Sequence, residues 1–149
     1  MENIEATIVN PLIGSKIPKP SYSTDGSAGI DLRACIDSAI TIEANTTELI
    51  GSGIAINIHN PNIAAMLLPR SGLGVKHGIV LGNLVGLIDS DYRKEVKIAV
   101  WNRSLNPFTI NPGERICQMI FVPIIQADFK WVDKLEDNGR DGFGSTGLS

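Results

Sequence analysis

Apolar residues in this chain come in short runs that alternate with polar ones, and almost nothing carries the three-to-four spacing of a helix. Alternation with period two places every second side chain on one face of a strand. Strands are therefore expected at 5–9, 29–34, 40–42, 48–50, 54–58, 63–68, 79–84, 96–102, 108–110 and 118–123. The run Ile54-Ala55-Ile56-Asn57-Ile58 is rich in β-branched residues, which suit a pleated sheet. A helical turn at 61–66 competes with its strand, but the segment is short for a helix. About ten short strands punctuated by turn residues predict an all-β sandwich or barrel. No internal repeat and no linker divides the chain.

One stretch stands out in this pattern. Gly86-Leu87-Ile88-Asp89-Ser90-Asp91-Tyr92 leads from an apolar segment, 79–88, into an acidic turn, after which Val96, Ile98 and Val100 alternate with Glu95, Lys97 and Ala99. This predicts a β-hairpin with two carboxylates and a tyrosine at or beside its tip. Taken alone it is a solvated acidic turn, since Asp and Ser suit turns for backbone reasons.

Composition narrows the classes. A chain of 149 residues with 43% hydrophobic content folds as one domain with a proper core. A net charge of −3 supplies no basic face for nucleic acid. No apolar run approaches the roughly 20 residues of a membrane helix. The acidic start, Met1-Glu2-Asn3-Ile4-Glu5, is not a signal peptide. Cys35 and Cys117 stand far apart beside apolar neighbours, which fits small buried thiols in a reducing compartment, with a disulfide the alternative. A cytoplasmic location is expected. His59 and His77 lack ligand spacing for a protein-held zinc, whereas a magnesium carried on substrate phosphates needs little from the protein.

Four further stretches offer chemistry. Ala28-Gly29-Ile30-Asp31-Leu32-Arg33-Ala34 sets an Asp inside an apolar strand, at its exposed face or held by Arg33 or a metal. Pro69-Arg70-Ser71-Gly72-Leu73-Gly74 supplies a cation, a hydroxyl and bare backbone to phosphate oxygens, or is an ordinary turn. Gly113-Glu114-Arg115-Ile116-Cys117-Gln118 brings an amide that, if inward, must find partners. From Glu136 the composition turns polar and glycine-rich, which predicts a flexible C-terminal arm carrying one aromatic, Phe143. Gly142-Phe143-Gly144-Ser145-Thr146-Gly147 fits GxGxxG by letter, but only two residues follow, so no Rossmann helix can. What remains is a run of N–H groups able to wrap an anion. A single nucleotide with several phosphates would use all five stretches.

Together, in this order and spanning almost the whole chain, the five stretches resemble the motifs of the homotrimeric dUTPases, the third being Gly82-Asn83-Leu84-Val85-Gly86-Leu87-Ile88-Asp89-Ser90-Asp91-Tyr92. The resemblance implies an all-β jelly-roll β-barrel over 1–135, a mobile arm over 136–149 that closes on the site, and a trimer with active sites shared between subunits. It implies magnesium-dependent hydrolysis of dUTP to dUMP and pyrophosphate by water attack on the α-phosphorus. That reaction keeps uracil out of DNA and supplies dUMP for thymidylate synthesis. Asp89 would be the base, although the residues alone leave Asp89 and Asp91 open. Asn83, Gly86 and Leu87 would read uracil, and Tyr92 would pack on the deoxyribose. Ser71, Gly72 and Gln118 would contact phosphates, with Arg70 at a motif position that is partly structural. Asp31 would reach the magnesium through water. Arg140, Phe143, Gly144, Ser145 and Thr146 would act from the arm, Phe143 stacking on the base.

Two positions depart from the family pattern. Asn138 stands where the arm carries Arg, leaving Arg140 three residues before Phe143, and Lys94 replaces the glycine of the usual Tyr-x-Gly, so a less tightly bent strand is expected there. A dCTP deaminase, the near relative by fold, would carry a catalytic Glu where Ala99 stands. A non-catalytic trimer that binds nucleotide or a protein partner and a purely structural jelly roll are the other readings. The intact Asp89 and the arm Phe143 count against the first, and the glycine-rich tail against the second.

Overall fold

A computed structural model describes residues 3–137 and 139. Ten strands and one short helix run in the order β1 (Glu5–Ile8), β2 (Ile30–Arg33), β3 (Ile40–Ile42), β4 (Thr46–Asn57), β5 (Ile63–Pro69), α1 (Ser71–His77), β6 (Ile79–Leu81), β7 (Gly86–Ile88), β8 (Glu95–Asn102), β9 (Phe108–Ile110) and β10 (Arg115–Pro123). One four-stranded sheet has the order β1-β4-β8-β6, a second β2-β10-β5-β7, and β3 with β9 forms a two-stranded ribbon. Every named pairing is antiparallel. The all-β, jelly-roll-like reading stands.

Alternation builds the core. In β8, Val96, Ile98, Val100 and Asn102 are buried while the residues between them face outward. They meet Ile50, Ile54, Ile56 and Leu81 of their own sheet and Leu32, Ala65, Leu67, Cys117 and Met119 of the other. Asn102 is the polar exception. Its amide donates to the carbonyls of Ile42 and Asn106 at 2.9 and 2.8 Å, and its Oδ1 accepts from the Ser104 N–H and hydroxyl at 3.0 and 2.7 Å, so the group is fully paired. Cys35 and Cys117 are both buried and free, and burial pushes the Cys117 thiol up to about 12.

Two departures from the sequence pattern have physical reasons. The expected strands 48–50 and 54–58 are one strand, β4, whose register slips between Gly51 and Ala55. Gly53 there has φ +74°, and a Cβ on it would lie 2.5 Å from Cys35 Sγ and 2.6 Å from Ile13, so the irregularity needs glycine. The strand expected from Ile63 does form, as β5, and the competing helical turn at 61–66 does not. Helix α1 was hidden by two glycines in seven residues; Gly78 ends it in the left-handed region with φ 68°, its N–H turned back to the Gly74 and Leu73 carbonyls.

Beyond Pro123 the described chain has no regular structure, and its large apolar side chains stand in solvent: Ile125 is 95% exposed and Trp131 90%. Phe129 and Trp131 cover only each other, their rings stacked with centroids 6.0 Å apart.

Candidate active site

The expected site residues fall into two groups at opposite edges of the second sheet. The first group gathers where β2, β10 and the start of α1 meet. Leu32 turns into the core, so its neighbours Asp31 and Arg33 face the other way. Asp31 does not pair with Arg33, as one reading of the sequence had it; Arg33 donates to the Gly113 carbonyl at 2.7 Å. The Asp31 partners come from far along the chain. Its Oδ2 accepts from Arg115 at 3.0 Å. Its Oδ1 lies 3.3 Å from Arg70 Nε, close enough for an ion pair but not aligned for a hydrogen bond. Arg70 also donates to the Arg115 carbonyl at 3.0 Å, which locks the two cations together. Gln118 sits directly across from Asp31 in the β2–β10 register. Its side chain is exposed, not inward, because Cys117 and Met119 take the core face. Ser71 and Gly72 open α1, where first-turn N–H groups have no intrahelical partner. Arg33, Arg70, Leu73, Phe108 and Arg115 line an open cleft of about 430 Å³ here.

The second group lies between β6 and β8. The hairpin expected from the sequence does not form. β7 pairs with β5 in the second sheet, while β8 pairs with β4 and β6 in the first. The Asp89 turn is therefore a crossover between sheets, and Asn83 sits in a second crossover just before it. Leu84 breaks the apolar run by adopting φ 61°, with its N–H bonded to the Leu81 carbonyl at 3.0 Å. Gly86 is buried against Leu67, whose side chain would meet a Cβ at 3.0 Å. Main-chain groups and long side chains hold the Asp89 turn. The Tyr92 N–H donates to the Asp89 carbonyl at 3.1 Å, the Tyr92 hydroxyl to the Glu95 carbonyl at 3.0 Å, and Arg93 to the carbonyls of Ser90 and Tyr92. Lys94 needs no glycine-like backbone, since its φ is not positive. Asn83, Leu87, Asp89, Asp91 and Tyr92 all face solvent. Among the described residues no hydrogen bond or ion pair reaches the Asp89 carboxylate.

The two groups are far apart within one chain. β2 and β7 are the outer strands of their sheet, three strand spacings or roughly 14 Å from each other. Asp31 and Ile88 are also out of step along the strands, since Gln118, across from Asp31, faces Leu68, whereas Ile88 faces Ala65.

Comparison with known proteins fits this arrangement to a family. The dUTPase family model matches residues 15–147. Deoxyuridine 5'-triphosphate nucleotidohydrolases of Escherichia coli O9:H4 (strain HS) and Escherichia fergusonii are each 56% identical over 149 residues, covering 99% of both chains. The chain belongs to the dUTPase family. In fold it is similar to a Staphylococcus bacteriophage 80alpha dUTPase solved with dUPNHPP (TM-score 0.83, 22% identity, 99% of this chain and 100% of that one). It is also similar to a phage phi11 dUTPase described as coordinating a structural Mg(II) ion (TM-score 0.77, 19% identity, 91% and 99%).

For a dUTPase the described metal ligands are sparse. Among the described residues no group of three or more His, Cys, Asp or Glu side chains converges on one point. Asp31 alone, flanked by two guanidiniums and with its Oδ1 buried, is a poor direct ligand. A magnesium carried on substrate phosphates asks for no such cluster, so the described residues fit a metal that arrives with the substrate. The expected arm residues Arg140, Phe143, Gly144, Ser145 and Thr146 lie outside the described residues. Sequence reasoning missed the roles of Arg115 and Glu95. Arg115 stood inside a quoted motif with nothing to mark it as the partner of a residue 84 positions away.

Proposed function

We propose that this chain hydrolyses dUTP to dUMP and pyrophosphate, with Asp89 as the base that activates water. The observation that carries this is an exposed carboxylate, without a partner among the described residues and fixed through its own main chain, on a crossover that also presents Tyr92 and follows the one that carries Asn83. Asp89 takes a proton from water, and the oxygen attacks the α-phosphorus. The bond from the α-phosphorus to the bridging oxygen breaks, and pyrophosphate leaves. A positioned base contributes on the order of 10²–10⁴-fold.

Main-chain groups around Gly86 and Leu87, with Asn83, read the imide edge of uracil, since an unmatched buried polar group penalises cytosine. Tyr92 packs on the deoxyribose. Ser71, Gly72 and Gln118 contact phosphates, and Arg70 braces Asp31. A magnesium carried on the triphosphate would supply charge neutralisation there, and Asp31, held between Arg70 and Arg115, would be the residue to reach it through water.

The separation of the two groups favours a site completed by another copy of the chain, the shared homotrimer of the family resemblance. We divide the chain into a body, 1–135, and an arm, 136–149, whose Arg140, Phe143, Gly144, Ser145 and Thr146 close over the nucleotide and exclude water. Two buried free thiols suit the cytoplasm. No helix among the described residues is long and apolar enough to cross a membrane.

Pyrophosphate release from dUTP with magnesium, beside dCTP, dTTP and UTP at equal concentration, tests the reading. Release from dUTP alone is expected. Binding of dUTP without release would transfer the weight to a nucleotide-binding role, and ammonia release from dCTP to deamination.

A further inference from the structure

Glu95 ties together two places that the reaction as derived above leaves separate. Its carboxylate enters the irregularity of β4, where Oε1 accepts from the Gly53 N–H at 3.0 Å. The fit depends on Gly51, because a Cβ there would come within 2.5 Å of the same oxygen. This part of β4 is a junction. The Gly53 carbonyl accepts from the N–H groups of Val9 and Asn10 at 2.9 and 3.2 Å, and the Gly51 carbonyl from Cys35 at 2.9 Å. From its main chain Glu95 reaches the other way, accepting the Tyr92 hydroxyl at 3.0 Å. Tyr92 in turn donates its N–H to the Asp89 carbonyl at 3.1 Å. A continuous path thus runs from a braced junction, through one residue, to an aromatic ring and the turn that carries the base.

We propose that Glu95 is a positioning residue that sets the preference for deoxyribose over ribose, by pinning the start of β8 and thereby fixing the Tyr92 ring. The inference rests on the reading that Tyr92 packs on the sugar. Tyr92 is 38% exposed, so packing alone does not hold its ring; the hydroxyl tether does. A tethered ring cannot swing aside to admit a 2′-hydroxyl, whereas a free one needs only a change of rotamer. Selectivity of this kind is a built-in clash, and it is only as strong as the group that clashes is rigid.

The test compares kcat/KM for dUTP and for UTP in the full chain with magnesium, at enzyme concentrations high enough to read UTP. The variants are Glu95→Ala, Glu95→Gln, Tyr92→Phe and the Glu95→Ala/Tyr92→Phe pair. The dUTP-to-UTP ratio is expected to fall on the order of tenfold in Glu95→Ala and in Tyr92→Phe. Glu95→Gln keeps an acceptor oxygen on the same stem and should keep the wild-type ratio. The pair should fall no further than either single variant, because both cut one path. A Glu95 that is merely structural would lower both substrates alike and leave the ratio unchanged, which overturns the proposal, as would two ratio effects that multiply. If Glu95→Ala does not fold, Tyr92→Phe decides, since it removes only the hydroxyl that bonds the Glu95 carbonyl, on a residue outside the core; an unchanged ratio there also overturns the proposal. A wild-type chain that leaves dUTP intact would defeat the functional reading itself, an outcome distinct from active variants with unaltered selectivity.

Discussion

Asp31 and Asp89 sit toward opposite edges of one sheet and are held in opposite ways. The Asp31 side chain is 14% exposed and clamped between Arg70 and Arg115. Asp89 faces solvent, and what is fixed is its backbone, through Tyr92 and Arg93. A carboxylate committed to two guanidiniums is a poor proton acceptor; one on a rigid turn with no partner among the described residues keeps that capacity. The first arrangement builds a surface for a charged ligand, and the second leaves a base available.

The sharpest way to break this contrast is at Asp89. Asp89→Asn should lower dUTP turnover by about 10²–10⁴-fold while calorimetry still reads dUTP binding. Unchanged turnover would remove Asp89 from the chemistry. Deleting 136–149 should lower turnover by on the order of 10²-fold, with the thermal unfolding of the body unchanged; a lowered melting temperature would show instead that these residues brace the fold. Asp31→Asn leaves two guanidiniums without their anion. It should cost about 1–3 kcal/mol in urea unfolding, near the lower end because Arg115 stays 45% exposed. A larger loss of turnover than Asp89→Asn would reverse the roles given to the two residues.

A third carboxylate sharpens the lesson by being paired but not buried. Glu5 bonds His59 at 2.6 Å and Asn57 at 2.9 Å at the start of β1. The His59 bond first, then the Asn57 bond, holds its carboxyl below the ordinary 4.5. A depressed carboxyl stabilises the fold above its unfolded pKa and loses that contribution as pH falls through its folded value. Glu5→Gln should therefore lower the melting temperature slightly at pH 7 and by less at an acid pH where the carboxyl takes up its proton. Equal shifts at both pH values would show that the pairing carries no charge component.

Local pattern was legible where one face of a strand is buried and the other wet. The expected strands at 40–42 and 108–110 match β3 and β9 residue for residue, since Ile42 and Ile110 are buried on one side of the ribbon and Thr41 and Thr109 exposed on the other. Pattern failed where backbone geometry decides. Nothing in the letters says that Gly53 bends one strand instead of ending it, or that Leu84 turns left-handed and sends β7 to the other sheet. The choice of candidate site residues came from motif order along the chain. Partnership was not legible, because the cations that hold Asp31 stand 39 and 84 residues away along the chain.

The exposed side chains beyond Pro123 carry a consequence for handling the molecule. Ile125, Phe129, Trp131, Val132 and Leu135 present oily surface that the single chain leaves in water. If other copies cover them, folding and association share one mass-action equilibrium, and the melting temperature should climb as the protein is concentrated. Dilution then becomes a perturbation in its own right, able to loosen the molecule with every residue intact.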